Sequence, residues 1–191
     1  MLQLAEIFYS IQGEGEHTGK PAVFVRLAGC NLSCDFCDTD YSLKFFATVD
    51  DVVTKVRALG GDCPMVVLTG GEPFAQSETA QLIEALRRDG RRVHIESNGT
   101  IATDLPEDVW LTVSPKERVD TRMAKRANEV KLIVDERVPE DWLDLFADKK
   151  TLLLQPEGNK PKNIALALDY AKAHPGRFRL SLQTHKFIGV P

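Results

Sequence analysis

Cys30, Cys34 and Cys37 put three of the four cysteines of this 191-residue chain within eight residues, spaced C-x3-C-x2-C. Three thiolates on one short loop suit a metal centre, but leave it one ligand short of the four that tetrahedral zinc or a cubane cluster takes. A closed structural zinc site would need a fourth ligand nearby, yet Cys63 lies far along the chain and the nearest histidine, His17, precedes the loop. Three unconnected core thiols are the other alternative, and buried cysteines do not cluster at such intervals. The spacing favours an iron-sulfur cluster with one open iron, and Cys63 reads as a small core residue.

Thr69-Gly70-Gly71-Glu72-Pro73 is a second stretch with chemical potential. Glycines let backbone approach a ligand closely, and a strand-end carbonyl beside a carboxylate suits an ammonium group. The same residues would also make an ordinary turn.

These groups need a scaffold to hold them. Strand-like and helix-like segments alternate along most of the chain, which predicts a mainly parallel α/β sheet. The predicted strands are 22–28, 65–68, 93–96, 109–113, 130–134, 152–154 and 178–182, one more than a six-strand core needs. Helices are predicted at 49–59 from Thr48, at 78–88 from Ser77 and at 163–173 after Pro161, with 140–147 a shorter candidate. The connections after the third and fourth strands are too short and too weakly helical for a closed eightfold barrel. The expected fold is one α/β domain over residues 1–191: a partial, open TIM-like barrel with about six core parallel strands and few helices.

Each polar motif then falls just past the C-terminal end of a predicted strand. These are Cys30–Cys37, Thr69–Pro73, Ser97–Thr100, Ser114–Lys116, Gln155–Gly158 and Gln183–Lys186. In parallel α/β folds that edge gathers the functional loops.

Composition narrows the function class. A formal net charge of -4 argues against broad nucleic-acid binding and for small-molecule work. No apolar run approaches the ~20 residues of a membrane span, and Met1–Glu6 lacks a basic start leading into an apolar stretch. With clustered thiols that make a poor disulfide framework, the expectation is a cytoplasmic protein.

The cysteine spacing followed by Asp38 and Thr39 resembles the cluster loop of the radical S-adenosylmethionine (SAM) enzymes. That resemblance implies a [4Fe-4S] cluster on Cys30, Cys34 and Cys37, whose open iron is chelated by the amino and carboxylate groups of SAM. An electron from the cluster then breaks a carbon-sulfur bond, while the protein supplies placement and shielding. By the same resemblance Gly71 and Glu72 meet the methionine amino end, and Ser114 and Lys116 the carboxylate or ribose. Gln155 and Glu157 meet the adenosine part, Phe36 the adenine face, and Asp38 also falls among the cofactor-binding residues. The plain alternatives are a surface cation for Lys116 and a core ring for Phe36.

Ile11-Gln12-Gly13-Glu14-Gly15, Arg26, Cys37-Asp38-Thr39, Ser114-Pro115-Lys116, Gln155-Pro156-Glu157 and His185-Lys186 resemble one group within that superfamily, the 7-carboxy-7-deazaguanine synthases, over nearly the whole chain. The implied reaction converts 6-carboxy-5,6,7,8-tetrahydropterin to 7-carboxy-7-deazaguanine in queuosine and deazapurine biosynthesis. A 5′-deoxyadenosyl radical takes hydrogen from C6, the ring contracts, ammonia leaves and SAM is regenerated. The resemblance also implies Mg2+ at Thr39, a reducing donor such as flavodoxin or ferredoxin, and a homodimer. A lone hydroxyl holds magnesium only if substrate and waters supply the other oxygens.

Such a substrate offers a carboxylate and a guanine-like edge. Arg26 suits the carboxylate, since a guanidinium makes paired charge-assisted bonds, and strand alternation puts it on one face with Ala22 and Phe24. A structural buried ion pair is the rival reading. Glu96 at a strand end would accept from the pyrimidine edge, with Ile11, Gln12, Gly13 and Thr69 around it and Glu14 and His185 as looser candidates. Pro191, six residues past His185, is expected to offer its carboxylate to the same edge. His17, His94 and His174 have no motif around them and read as ordinary residues. Two other readings stand beside this one: a small radical SAM activase of a glycyl radical enzyme, and a plain iron-sulfur electron carrier.

Overall fold

Apolar alternation along the buried strands decides which side of the sheet the helices cover. A computed structural model describes residues 1–191, with strands β1 (Leu2–Ile11), β2 (Pro21–Leu27), β3 (Phe45–Ala47), β4 (Met65–Gly70), β5 (Arg92–Ser97), β6 (Trp110–Val113), β7 (Glu129–Val134), β8 (Leu152–Pro156) and β9 (Phe178–Leu180). They form one sheet in the order β3-β1-β2-β4-β5-β6-β7-β8-β9. From β2 through β9 neighbouring strands run parallel, whereas β1 is antiparallel to both β2 and β3. The sheet does not close, because β3 and β9 are its two edges. The architecture is the expected open, incomplete barrel, its parallel run extended by the short β9.

Val23, Val25 and Leu27 of β2 join Val66 and Leu68 of β4, Val93 and Ile95 of β5 and Leu132 of β7 in one core. Val52 and Val56 of helix α1 (Val49–Gly60) and Leu82 and Leu86 of α2 (Thr79–Arg88) close that core from the helical side. Each such fully buried side chain contributes about 1.5–3 kcal/mol, so this layer carries most of the stability. The alternate residues, Phe24, Arg26, Val67, Thr69, Glu96, Lys131 and Gln155, turn to the opposite face and line a cavity. The helical side of the sheet is therefore greasy and its inner side largely polar.

Helix α1 starts as its sequence predicts: Thr48 and Asp51 form a reciprocal capping box. α2 starts at Thr79, because Ser77 spends its hydroxyl on the Glu78 carboxylate instead of capping. α4 (Pro161–Ala173) carries Pro161 in its first turn, where a missing N–H costs nothing. The 140–147 candidate is a single 3-10 turn, Glu140–Trp142.

Two strands and two helices were not predicted. β1 hides its alternation behind a register shift between Leu4 and Glu6, which puts Leu4 and Ala5 both in buried positions. β3 has three residues, and α3 (Thr121–Arg126) and α5 (Thr184–Ile188) have six and five, too few to show a period. No helix is long and apolar enough to cross a membrane.

Candidate active site

The β1–β2 hairpin loop folds across the open side of the sheet. Gly15 N donates to Ser181 Oγ at 3.0 Å, Glu16 N to the Glu129 carboxylate at 2.6 Å, and Thr184 N to the Gly13 carbonyl at 2.9 Å. Behind that strap lies a cavity of about 440 Å³, lined by residues from β1, β2, β4, β5, β7 and β8 and from the loops at their C-terminal ends. That volume is within the range of small-molecule sites.

One end of the cavity is the cysteine loop. Cys30, Cys34 and Cys37 all line it, together with Phe36, Asp38 and Thr39. No three His, Cys, Asp or Glu side chains are arranged around one ion, so the thiols do not converge on a single point. A cubane takes one thiolate per iron and does not ask them to. That donor set, three thiols facing a cavity, fits a cluster whose fourth iron looks into it. The loop is held at its base, where Gly29 N donates to the Tyr41 carbonyl at 3.0 Å and Glu72 N to the Gly29 carbonyl at 3.1 Å. Asn31 adds a side-chain anchor, donating to Thr100 Oγ1 at 2.7 Å and accepting from Asn98 Nδ2 at 3.0 Å.

Beside the cysteines stand Gly71, Ser114, Lys116, Gln155 and Glu157, all lining the cavity. Lys116 Nζ donates to Ser114 Oγ at 2.6 Å and lies 5.8 Å from the Phe36 ring centre. Its burial, with Lys131 nearby, lowers its pKa to about 8 against the pull of Cys34 and Glu14. It is thus neither a surface cation nor far from Phe36. Glu157 faces the cavity with its carboxylate already engaged by Lys160 and Asn163, which leaves its backbone and neighbours as the contact surface. Asp38 is similarly committed, to Lys186 and to Gln183 Nε2.

Glu72 departs from expectation. It is fully buried (0% exposed) and absent from the cavity wall. Its carboxylate accepts from Ser97 Oγ at 3.0 Å, Asn98 N at 2.7 Å and Phe74 N at 3.1 Å. Burial raises its pKa against those donors. Glu72 ties the glycine-rich loop to the end of β5, and so positions Gly71 without being available to a ligand.

The other end holds the expected substrate residues. Ile11, Gln12, Gly13, Glu14, Arg26, Thr69, Glu96, His185 and Pro191 all line the cavity. Arg26 points inward but has a partner: its Nε donates to Glu6 Oε1 at 2.7 Å, and its guanidinium lies 5.7 Å from the Phe8 ring centre. The ion pair is not a buried one, since the Glu6 side chain is 48% exposed, and the two terminal nitrogens of Arg26 carry no protein hydrogen bond. Gln12 Nε2 donates to Glu96 Oε1 at 3.3 Å, and the Pro191 carbonyl accepts from Ser10 Oγ at 2.8 Å. His185 packs against Gly13 so closely that a β-carbon there would collide with its ring, and burial lowers its pKa despite Glu14.

Three residues received no individual role from the sequence. Lys131, with 8% of its side chain exposed, is ion-paired to Glu14 and to Glu96. Its signal was a lone charge inside the apolar run Val130-Lys131-Leu132-Ile133-Val134. Gln183 donates to both Glu14 and Asp38 at 3.1 Å and so bridges the two ends of the cavity. Asn31, within Cys30–Cys37, is the side-chain anchor of that loop. His94, beneath Glu96 on β5, is buried in a stack with His17 and Trp110, and burial lowers its pKa to about 3.

Comparison with known proteins bears on the family and the fold. Residues 24–111 match the model of the radical SAM superfamily. The chain is similar to the 7-carboxy-7-deazaguanine synthase of Bacteroides thetaiotaomicron, 42% identical over 100% of this chain and 99% of the relative. It is also similar to that of Caulobacter vibrioides, 39% identical over 97% of each. The crystal structure of QueE from Escherichia coli superposes with a TM-score of 0.82 at 30% identity, covering 96% of this chain and 94% of that one.

Proposed function

The chain belongs to the 7-carboxy-7-deazaguanine synthases of the radical SAM superfamily, and from that membership we propose that it acts as a single-domain carbon-nitrogen lyase. Its substrate is 6-carboxy-5,6,7,8-tetrahydropterin and its product 7-carboxy-7-deazaguanine, a precursor of queuosine. The overall change is the loss of one ammonia without net oxidation, so no stoichiometric oxidant is consumed.

The observation that carries this reading is one continuous cavity, with three thiols and Gly71 at one end and Arg26 and Glu96 at the other. When bound at Cys30, Cys34 and Cys37, a [4Fe-4S] cluster with SAM supplies a 5′-deoxyadenosyl radical for hydrogen abstraction at C6. The chain's own residues place and shield the reactants. Gly71 gives its backbone to the methionine end of SAM, Ser114 and Lys116 meet the carboxylate or ribose, Phe36 covers the adenine face, and Gln155 with the backbone at Glu157 borders the adenosine. Arg26 receives the pterin carboxylate on its terminal nitrogens. Glu96, Glu14, Gln12, Thr69 and His185 receive the pyrimidine edge, with Pro191 at the rim. Thr39 would offer one oxygen to Mg2+, a site that a lone hydroxyl completes only with substrate and water. The reductant is a small carrier such as flavodoxin or ferredoxin, the setting is the cytoplasm, and the active form is a homodimer.

Anaerobic incubation of the cluster-loaded protein with SAM, reductant and the carboxytetrahydropterin should yield the deazaguanine chromophore, with SAM not consumed in proportion. Cleavage of SAM without turnover of the pterin would favour a glycyl radical activase, and no SAM cleavage at all would favour an electron carrier.

A further inference from the structure

The substrate end of the cavity contains more buried charge than ligand recognition alone requires. Glu14 from the hairpin loop and Glu96 from β5 flank one ammonium, Lys131, with Glu129 of β7 a further charge nearby. Lys131 Nζ lies 3.1 Å from Glu96 Oε2 and also bonds Glu14 Oε2. The other oxygens of the two carboxylates are fixed by amides: Glu96 Oε1 accepts from Gln12 Nε2 at 3.3 Å, and Glu14 Oε1 from Gln183 Nε2 at 3.1 Å. Gln12 cannot be flipped, because its own Oε1 accepts from Glu14 N at 3.1 Å. Each carboxylate is thus locked in orientation while its remaining lone pairs stay open to the cavity.

We propose that Lys131 is a positioning residue for substrate recognition: by bonding Glu14 and Glu96 at once it keeps both as acceptors facing the N–H edge of a pterin, and so selects a ring with a 2-amino group over one with a 2-oxo group. This rests on the pterin reading given above. Two carboxylates sharing a buried site cannot both stay ionised without a counter-charge. A protonated carboxyl becomes a donor, which suits a 2-oxo group and repels an amine. Of the two, Glu96 is the one poised to change: burial, with Glu14 and Glu129, raises its pKa to about 7 against the pull of Lys131. Burial works on Glu14 in the same direction, but Lys131 outweighs it and holds Glu14 below the ordinary carboxylate range. Lys116 from the loop after β6 and His185 from α5 are the other charged or titratable neighbours of this group.

The test is equilibrium binding of 6-carboxypterin and 6-carboxylumazine, followed by fluorescence, to the cluster-loaded protein with SAM and no reductant. Wild type should bind the pterin roughly tenfold or more tighter than the lumazine, the difference expected for one charge-assisted hydrogen bond. That preference should weaken as pH falls through about 7. Lys131→Met should lose roughly tenfold in pterin affinity and most of the discrimination, and Lys131→Arg should restore both. A Lys131→Met protein with wild-type preference overturns the inference. Should that variant fail to fold, wild type alone decides: equal affinity for the two rings, or a preference unchanged between about pH 6 and 8, overturns it as well. A wild type that binds neither ring sinks the pterin reading together with the inference, whereas one that binds both equally sinks only the role of Lys131.

Discussion

Gly71 packs directly against the backbone of Gly29, so that a β-carbon at Gly71 would meet the Gly29 carbonyl and lie 2.6 Å from the Cys30 β-carbon. The glycine-rich loop and the cysteine loop are thus in contact through backbone alone, and one methyl group would separate them. Gly71→Ala should cost about 1–3 kcal/mol by overpacking and displace the cysteine loop. Iron content and visible absorbance after anaerobic reconstitution should both drop, with circular dichroism retained; full cluster loading would show that the two loops tolerate separation.

Alanine at Cys30, Cys34 or Cys37 should each abolish the four-iron cluster. Cys63→Ala should keep it, because Cys63 is buried elsewhere, with its thiol donating to the Pro21 carbonyl at 3.3 Å. Iron and sulfide analysis checks this, and a cluster lost only in the Cys63 variant would reverse the assignment.

Arg26→Lys should raise the KM for the pterin by roughly tenfold or more with little effect on SAM affinity, since lysine keeps the charge but has no planar fork to serve Glu6 and a substrate carboxylate together. An equal loss of SAM affinity would mean that the substitution acts through misfolding.

His94 and Glu96 lie two apart on β5 and pull stability in opposite directions as pH changes. Burial holds His94 neutral down to about pH 3, so between there and about 6.5 the unfolded chain binds the extra proton and stability rises with pH. Burial raises the Glu96 pKa to about 7, so between about 4.5 and 7 the folded state binds the extra proton and stability falls with rising pH. Each contributes up to about 1.4 kcal/mol per pH unit. Relative to wild type, denaturant unfolding between about pH 5 and 6.5 should show a steeper rise with pH in Glu96→Gln and a shallower or reversed one in His94→Gln. Slopes that shift the same way in both variants would refute this account.

Much of the site was legible because radical chemistry needs residue types that packing does not. Cys30, Cys34 and Cys37 have no use as a core cluster, and Gly70-Gly71 marks close backbone approach, so both stretches signal from composition alone. The seven parallel strands were legible for a different reason: each is a short apolar run between polar loops, as burial on the helical face demands. What stayed hidden depended on pairing across the sheet. Lys131 acquires its meaning only where β7 faces the hairpin loop: a lone charge in the apolar run 130–134 marks it as unusual but does not reveal its partners, Glu14 and Glu96. Glu72 was misplaced for the converse reason. Its neighbours in sequence suggest a ligand, while its partners in space, Ser97 and Asn98, satisfy it.

The strap that crosses the open side of the sheet also sets when the site comes into being. Glu14 and Gln183, which bond across it, are separated by 169 positions, and Lys186 reaches back to Asp38 across 148. Contacts so distant in sequence form late, because the chain between them must first be ordered. During synthesis at roughly 5–20 residues per second, the cysteine loop leaves the ribosome on the order of ten seconds before its closing partners exist. For that interval the three thiols are an open ligand set with no chamber around them. Only once Gln183 and Lys186 have emerged can Asp38, next to Cys37, take its two side-chain partners.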